Sequence, residues 1–188
     1  FNDTATGFSG YFDRDGKGLK KMFLKAPLDF FRITSKYTMN RFHPVQRRWK
    51  AHLGTDYAAP TGTPIHTTAH GVVDKAGYNS GNGKFVKVRH NGTYSTQYLH
   101  MSRIASGIRP GARVSQGQVI GYVGSTGLAS GPHVCYRFWV NGRQVNPLAL
   151  KLPNSEPIPD RYRGAFERTS QPLLKRLEAL TYPEQRRD

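Results

Sequence analysis

Short runs of apolar and β-branched residues alternate with polar ones along the middle of the 188-residue chain. The segments FVKVRH and TYSTQYLH flank Asn91-Gly92, and the segments VCYRFWV and RQV flank Asn141-Gly142. An Asn-Gly pair between two such runs is the strongest short signal for a β-hairpin. Between the two hairpins, glycines and prolines recur every few residues, as in closely spaced turns. The pattern predicts a mainly β protein, with a small antiparallel β-sheet or β-sandwich domain.

The two ends of the chain have other patterns. A polar turn at 13–18 lies between apolar segments and predicts two strands joined by that turn. The segment 151–164 is rich in proline and is predicted to be an extended tail outside the core. Beyond it, Pro172 suits the first turn of a helix. Leucines at helical spacing then predict a short, amphipathic C-terminal helix: Leu173, Leu174, Leu177 and Leu180.

These patterns divide the chain into three regions. We expect N-terminal strands and a linker over 1–40, the β-domain over 41–150, and a Pro-rich tail with a short helix over 151–188. The chain begins at Phe1, without an initiating methionine or a signal-peptide pattern. We therefore expect a mature or truncated piece of a longer protein, from which an upstream regulatory domain is missing.

Charge and cysteine content narrow the possible partners. The chain has 28 Lys and Arg against 12 Asp and Glu, a net charge of +16, so its surface should attract an anionic polymer or membrane face. The basic residues are spread along the chain without a helix-turn-helix, zinc-finger or RNA-recognition signature, which argues against nucleic acid. A single cysteine excludes an intramolecular disulfide. No apolar run is long enough to span a bilayer.

Candidate metal ligands occur at two places in the predicted β-domain. His52 and Asp56 are four residues apart with a glycine between them, and a histidine with a carboxylate suits zinc. His133 and Cys135 are two residues apart, which on a strand puts both side chains on the same face. Cys135 is a zinc ligand as a thiolate and a small core residue as a thiol, and spacing leaves both open. His100, which ends the segment TQYLH, is a further candidate.

The order of these segments resembles that of a known family. The chain contains, in sequence, HLGTDYAAPTGTPI, GNGKFVKVRHNGTYSTQYLHM and RVSQGQVIGYVGSTGLASGPHVCYRFWVNGRQVNPL. This order is similar to that of the lysostaphin-type zinc metalloendopeptidases, the LytM group of murein hydrolases. The flanking segments YFDRDG, RITSKYTMNRFHP and VNPLALKLP are similar to its Gram-negative murein endopeptidase branch. The resemblance implies a LytM-type antiparallel β-domain with Zn²⁺ in a groove and peptidoglycan as the substrate.

The resemblance also implies roles for individual residues. Its HxxxD motif falls on His52 and Asp56, which are then zinc ligands. Its HxH motif falls on His133 as a catalytic residue and on Cys135 as the third ligand. Its YxH motif ends at His100, the other catalytic histidine. In the implied mechanism zinc activates a water that attacks the scissile carbonyl, while the two histidines orient the water, move its proton and stabilise the oxyanion.

Two positions depart from the family pattern. Cys135 stands where the family has a ligand histidine, and Arg137 stands where it has a glutamate. A thiolate ligand lowers the net charge of the metal centre from about +1 to about 0. Arg137 adds a positive charge on the same strand face, roughly 7 Å away, so the two changes can compensate. Upstream, His43 can cap the open zinc position, or be a loop histidine fixed by the proline after it.

Two functions therefore stay open. The first is a zinc metalloendopeptidase that hydrolyses peptide bonds in peptidoglycan. The alternative is a degenerate LytM domain that binds peptidoglycan without cleaving it and acts as a scaffold or hydrolase activator. Both predict a location in the bacterial cell envelope, periplasmic or associated with the outer membrane, where an anionic surface suits the net charge of +16.

Overall fold

The computed structural model of the chain describes residues 1–19, 21–43, 46–152 and 157–180. The helical elements of this part are α1 (Asp160–Glu178) and a 3₁₀ turn at Pro147–Ala149. The strands are β1 (Asn2–Asp3), β2 (Phe8–Ser9), β3 (Arg32–Ser35), β4 (Thr38–His43), β5 (Arg48–His52), β6 (Thr55–Ala58), β7 (Pro64–His66), β8 (Gly71–Asn79), β9 (Gly83–Arg89), β10 (Tyr94–Met101), β11 (Arg103–Ile104), β12 (Arg113–Val114), β13 (Val119–Tyr122), β14 (His133–Val140) and β15 (Arg143–Val145).

The chain divides into two compact units, and the larger one, Phe23–Lys151, contains the sheets that carry the candidate site. Its main sheet has the strand order β12-β8-β9-β10-β14-β6-β3, with β15 paired to β14. Strands β11, β13 and β7 form a three-stranded sheet, and β4 and β5 form a separate hairpin. All of these strand pairs are antiparallel. The prediction of a mainly β, antiparallel domain is confirmed.

Both predicted hairpins are present, but their turns differ. Asn141 and Gly142 have φ values of 49° and 77°, which is the pair of left-handed residues that a two-residue type I′ turn requires. The turn at Asn91 is longer, because its side-chain oxygen accepts hydrogen bonds from the backbone N–H groups of Thr93 and Tyr94, both at 2.9 Å. An Asx turn therefore replaces the two-residue turn between β9 and β10.

The core of this unit lies on the central strands of the main sheet. Val86 and Val88 of β9, Tyr98 and Leu99 of β10, and Phe138 of β14 are all fully buried. Alternate residues of β9 face this core, as a half-buried antiparallel strand requires. The site residues on β10 and β14 thus stand on two central strands that are largely buried.

Gly83 occupies a crowded position at the start of β9. It has a φ of +64°, and a Cβ there would lie 2.2 Å from the backbone oxygen of Thr126, which cannot move independently of its chain. We expect Gly83→Ala to lower the free energy of unfolding by about 2–4 kcal/mol, measured by denaturant titration. Gly92→Ala is the matched control, because a Cβ at Gly92 meets nothing within 4 Å. Equal losses in the two variants would contradict the steric argument.

The smaller unit consists of Phe1–Met22 and Leu152–Asp188. Its core is a mainly aromatic cluster, in which Ile158 and buried residues of α1 pack against phenylalanines near the start of the chain. Phe8 stacks on Tyr162 with the ring centroids 4.2 Å apart. The members of the cluster are Phe1, Phe8, Phe12, Ile158, Tyr162 and Phe166.

The prediction for the C-terminal region was correct about a helix and wrong about its limits. Helix α1 begins at Asp160, so Pro172 lies inside the helix and not in its first turn. The segment 151–164, expected to be extended and outside the core, contributes buried Ile158 and Tyr162, while residues 153–156 lie outside the described part. The buried face of α1 is aromatic. The predicted leucine face is open to solvent, with Leu177 57% exposed.

The N-terminal turn is present without the two strands predicted around it. Asp13 accepts hydrogen bonds from the backbone N–H groups of Asp15 and Lys17, which closes the turn. Only one bridge, between Phe12 and Gly18, pairs the residues on either side. The apolar residues on the two sides pack in different places, Phe12 in the cluster with α1 and Phe23 against Phe138, so they do not form a continuous ladder.

Among the described residues, no helix has the length and apolar character needed to cross a membrane.

Candidate metal centre

Strand pairing brings two of the predicted ligands side by side. In the antiparallel pair of β6 and β14, Cys135 lies directly opposite Asp56. Residues opposite each other in such a pair point to the same face with their Cβ atoms about 4.5–5.5 Å apart. His133 lies two residues before Cys135 on β14 and shares that face.

His52, at the end of β5, completes a compact group with these two residues. Its Nε2 lies 3.0 Å from Oδ1 of Asp56 and 3.5 Å from Sγ of Cys135. The ligand atoms of the three residues all lie within 4.8 Å of one another. The residues are buried, with exposed fractions of 7% for His52, 6% for Asp56 and 2% for Cys135. The structure therefore gathers a nitrogen, an oxygen and a sulfur donor at one point.

The hydrogen bonds around this group fit a cation. The other ring nitrogen of His52, Nδ1, lies 3.1 Å from the backbone oxygen of Lys36. A carbonyl oxygen only accepts, so Nδ1 donates the proton and Nε2 keeps its lone pair. The contact between Nε2 and Oδ1 of Asp56 then joins two acceptors, and Oδ1 is buried without a hydrogen-bond partner among the described residues. Lone pairs of N and O atoms that converge beside a thiol sulfur suit zinc.

The electrostatics of the group point the same way. Burial raises the pKa of Asp56, but positive charge at His52 and His133, when those rings are protonated, outweighs it and holds that pKa below its usual value, so the carboxylate is stabilised by a cation beside it. Burial, with the charge of Asp56, raises the pKa of the Cys135 thiol to about 12. Without a cation the thiol keeps its proton, whereas a coordinating cation removes it.

Two further histidines stand beside the group. The rings of His100 and His133 have centroids 4.8 Å apart. Each has its Nδ1 2.8 Å from a backbone oxygen, that of Thr126 for His100 and that of Gly131 for His133. Both Nδ1 atoms therefore donate, which leaves Nε2 of each ring as an acceptor. Nε2 of His133 lies 3.7 Å from Oδ1 of Asp56.

The backbone of His100 is unusual. Its φ of 65° is left-handed, a conformation that a residue with a Cβ rarely adopts, and it accompanies a register shift between β9 and β10. The backbone N–H of His100 donates to the oxygen of Asn82 at 2.9 Å. Burial lowers the pKa of His100 to about 4, so its ring is neutral at neutral pH. Backbone and side-chain contacts thus hold a neutral imidazole in place.

All five predicted site residues line one open groove of about 200 Å³. Its other lining residues are Arg41, Lys50, Ala51, Leu53, Gly81, Asn82, Leu128, Ser130 and Arg137. Gly54 allows the groove to form, since a Cβ there would lie 2.8 Å from Sγ of Cys135 and 3.1 Å from Cγ of Arg137. The groove is therefore basic, with three cationic side chains around the donor group.

Sequence reasoning missed two residues that support the group. Nη1 of Arg41 lies 3.5 Å from Oδ2 of Asp56 and donates to the Ser35 hydroxyl. Ser35 in turn lies 3.3 Å from Nδ1 of His52. Neither residue has a spacing signal, because strand pairing brings both to the site. The side chain of His43 lies outside the described part of the chain, and its capping role stays a prediction.

His66, His70 and His90 do not line the groove. His66 contacts the backbone oxygen of Gly117 and the carboxylate of Asp29. His90 contacts the Thr96 hydroxyl and the backbone oxygen of His70.

The sequence profile described as Peptidase family M23 matches residues 50–147 of this chain. The chain belongs to peptidase family M23. The matched range includes His52, Asp56, His100, His133 and Cys135. The resemblance to the LytM group is thereby confirmed at the level of the family.

Individual M23 relatives agree with this assignment. The chain is 44% identical over 176 residues to peptidoglycan DD-endopeptidase ShyC of Vibrio cholerae, a match that covers 94% of this chain and 40% of ShyC. A zinc containing peptidase from Vibrio cholerae has a similar fold, with a TM-score of 0.66, 35% identity, and coverage of 76% of this chain and 44% of that chain. The catalytic domain of lysostaphin from Staphylococcus simulans gives a TM-score of 0.56, 26% identity, and coverage of 63% and 90%. This M23 chain thus spans less than half the length of the two Vibrio proteins.

Proposed function

We propose that this chain is a zinc metalloendopeptidase that hydrolyses peptide bonds in peptidoglycan. The observation that supports it best is the group of three buried donor atoms, all within 4.8 Å of one another, beside two histidines in an open groove. A purely structural cluster has no need of a groove or of unpaired lone pairs, whereas a catalytic metal site needs both.

Three residues would hold the metal: His52 through Nε2, Asp56 through a carboxylate oxygen and Cys135 through Sγ. When bound, zinc supplies a Lewis acid and an activated water for attack on the scissile carbonyl. Three protein ligands with one open position are typical of catalytic zinc sites, whereas structural sites have four. Arg41 would fix the orientation of Asp56 through its contact with Oδ2 at 3.5 Å.

The two histidines would handle the proton. His100 and His133 each keep Nε2 as an acceptor, because Nδ1 is bonded to a backbone oxygen. Nε2 of one ring can take the proton of the attacking water and pass it to the leaving nitrogen. Nε2 of the other, once protonated, can donate to the oxygen on which negative charge develops.

The names of relatives support the substrate class. ShyC is a peptidoglycan DD-endopeptidase, and it matches 94% of this chain. The groove carries Arg41, Lys50 and Arg137, which suit a polymer that bears carboxylates. We infer the bacterial cell envelope as the location, because peptidoglycan lies there, and the net charge of +16 suits an anionic envelope surface.

Digestion of purified sacculi, combined with metal analysis, tests this function. We expect about one equivalent of zinc per chain and release of soluble peptides, identified by mass spectrometry. A chelator should stop the release, and added zinc should restore it. Binding to sacculi without release, with zinc present or absent, would instead establish the non-catalytic binding domain. If the protein neither binds sacculi nor releases peptides from them, both functions are contradicted.

A further inference from the structure

We propose that Arg137 binds a carboxylate of the substrate, so that the groove selects peptides with a free carboxylate close to the scissile bond. The proposal rests on the proposed function and adds a specificity-determining residue to it. Arg137 would act on binding and positioning of the peptide and would take no part in the proton transfers.

The place of Arg137 on β14 puts it next to the donor group. It follows Cys135 by two residues, lies opposite Gln97 of β10 and lines the groove. Two residues along a strand correspond to roughly 7 Å. A peptide laid in extended form along the groove therefore brings a group about two residues from the scissile bond within reach of the guanidinium.

The other two cations of the groove already have partners. Arg41 contacts the carboxylate of Asp56 at 3.5 Å, and Nζ of Lys50 donates to the side-chain oxygen of Gln46 at 2.9 Å. Among the described residues, no carboxylate lies within 4 Å of the guanidinium nitrogens of Arg137. Its Nε is buried and has no hydrogen-bond partner in the same part of the chain. Arg41 is paired with a carboxylate and Lys50 with a neutral amide, so Arg137 is the arginine of the groove that has no anion among the described residues.

The chemistry of the missing partner follows from the guanidinium. It is permanently charged, planar and carries five N–H donors, which match the two oxygens of a carboxylate in a bidentate pair. Arg137 also contacts the sulfur of Cys135, two residues before it on β14, but a thiol is no substitute for an anion with two oxygens. A carboxylate that enters the groove would supply the negative charge that the guanidinium lacks and accept hydrogen bonds from its terminal N–H groups.

Synthetic dimers of peptidoglycan stem peptides test the proposal in three forms: with all carboxylates free, with the terminal carboxylates amidated, and with the side-chain carboxylates amidated. We expect one amidated form to have kcat/KM lowered at least about tenfold for the wild type, since a hydrogen bond to a charged group is lost. The form that loses activity identifies the carboxylate that Arg137 binds.

Arg137→Gln should remove this discrimination. With both proteins saturated with zinc, the variant is expected to cleave the free form about as slowly as the wild type cleaves the sensitive amide. Arg137→Lys should recover only part of the difference, because an ammonium cannot form the bidentate pair. Arg143→Gln is the matched control: Arg143 is an exposed residue of β15 outside the groove, and its loss should leave the discrimination intact. A wild-type ratio in Arg137→Gln would overturn the proposal.

Calorimetric measurement of the binding of the same peptides distinguishes a failure of the carboxylate site from a failure of the proposed function. If the wild type cleaves no peptide, the proposed function fails. The carboxylate site is still supported if amidation raises the dissociation constant about tenfold for the wild type and leaves it unchanged for Arg137→Gln. If cleavage occurs and the discrimination is absent, or does not depend on Arg137, the proposed function stands and the carboxylate site fails.

Discussion

Replacing Cys135 with serine is expected to remove zinc from the protein and to abolish release of peptides from sacculi. The thiol lies opposite Asp56 and 3.5 Å from Nε2 of His52, where it can complete a set of three ligands. A serine hydroxyl is similar in shape but keeps its proton, so it cannot supply the anionic donor that zinc prefers. Loss of an outer-shell partner already costs about 10–100-fold in metal affinity, and loss of a direct ligand should cost more. Zinc titration with a competing chelator measures the change.

Two further variants make the Cys135 result interpretable. Asp56→Ala removes the proposed carboxylate ligand and gives the size of effect expected for a missing ligand. Cys135→His supplies an imidazole nitrogen in place of sulfur and should regain zinc. Thermal unfolding of the metal-free proteins shows whether each variant still folds. Wild-type zinc affinity in Cys135→Ser would mean that Cys135 is only a small core residue.

Replacing His100 with asparagine is expected to lower kcat by about 10²–10⁴-fold while zinc stays bound. Asparagine is the better choice than alanine because it tolerates the left-handed backbone, with φ at 65°, that His100 adopts. The imidazole is lost as a proton acceptor, but the three donor atoms of the metal group are not touched. Kinetics on a synthetic stem-peptide dimer, with zinc measured on the same sample, check the result.

His66→Asn is the control for this change. His66 contacts Gly117 and Asp29 and lies outside the groove. Its replacement is therefore expected to cause no comparable loss of kcat. If His100→Asn kept kcat within about tenfold of the wild type, His100 would have no part in proton transfer. If the variant lost zinc as well, its effect would be on the metal group and not on catalysis.

The sequence was sufficient for the β-sheet because its signals are local. The turn residues at Asn91 and Asn141 lie within a few positions of the strands that they connect. Helix α1 was misplaced because its buried face consists of Tyr162 and Phe166, whose partners lie more than a hundred residues earlier in the chain. The nearby leucines have clear helical spacing, but spacing alone does not show which face of a helix is buried against the rest of the protein.

The same limit applies to the site. The motif residues could be assigned to one site because the segments that contain them occur in the order typical of the family. The structure brings their side chains together in one groove. Their roles as ligands and catalysts stay predictions. Arg41 and Ser35 were not found, because their contacts with Asp56 and His52 come from strand pairing and leave no spacing pattern. The buried and unpaired Nε of Arg137 also depends on packing that no sequence pattern records.

The two halves of the aromatic cluster in the smaller unit are synthesised at different times. Its phenylalanines precede the whole of Phe23–Lys151, whereas its helix follows that segment. At about 5–20 residues per second, the ribosome makes the intervening segment in roughly 6–26 s. During that interval the three rings have no helix to pack against, whereas Cys135, the last of the three candidate ligands, is made before the helix begins at Asp160. A nascent chain can therefore bring the three candidate ligands together before the phenylalanines of the aromatic cluster find their partners.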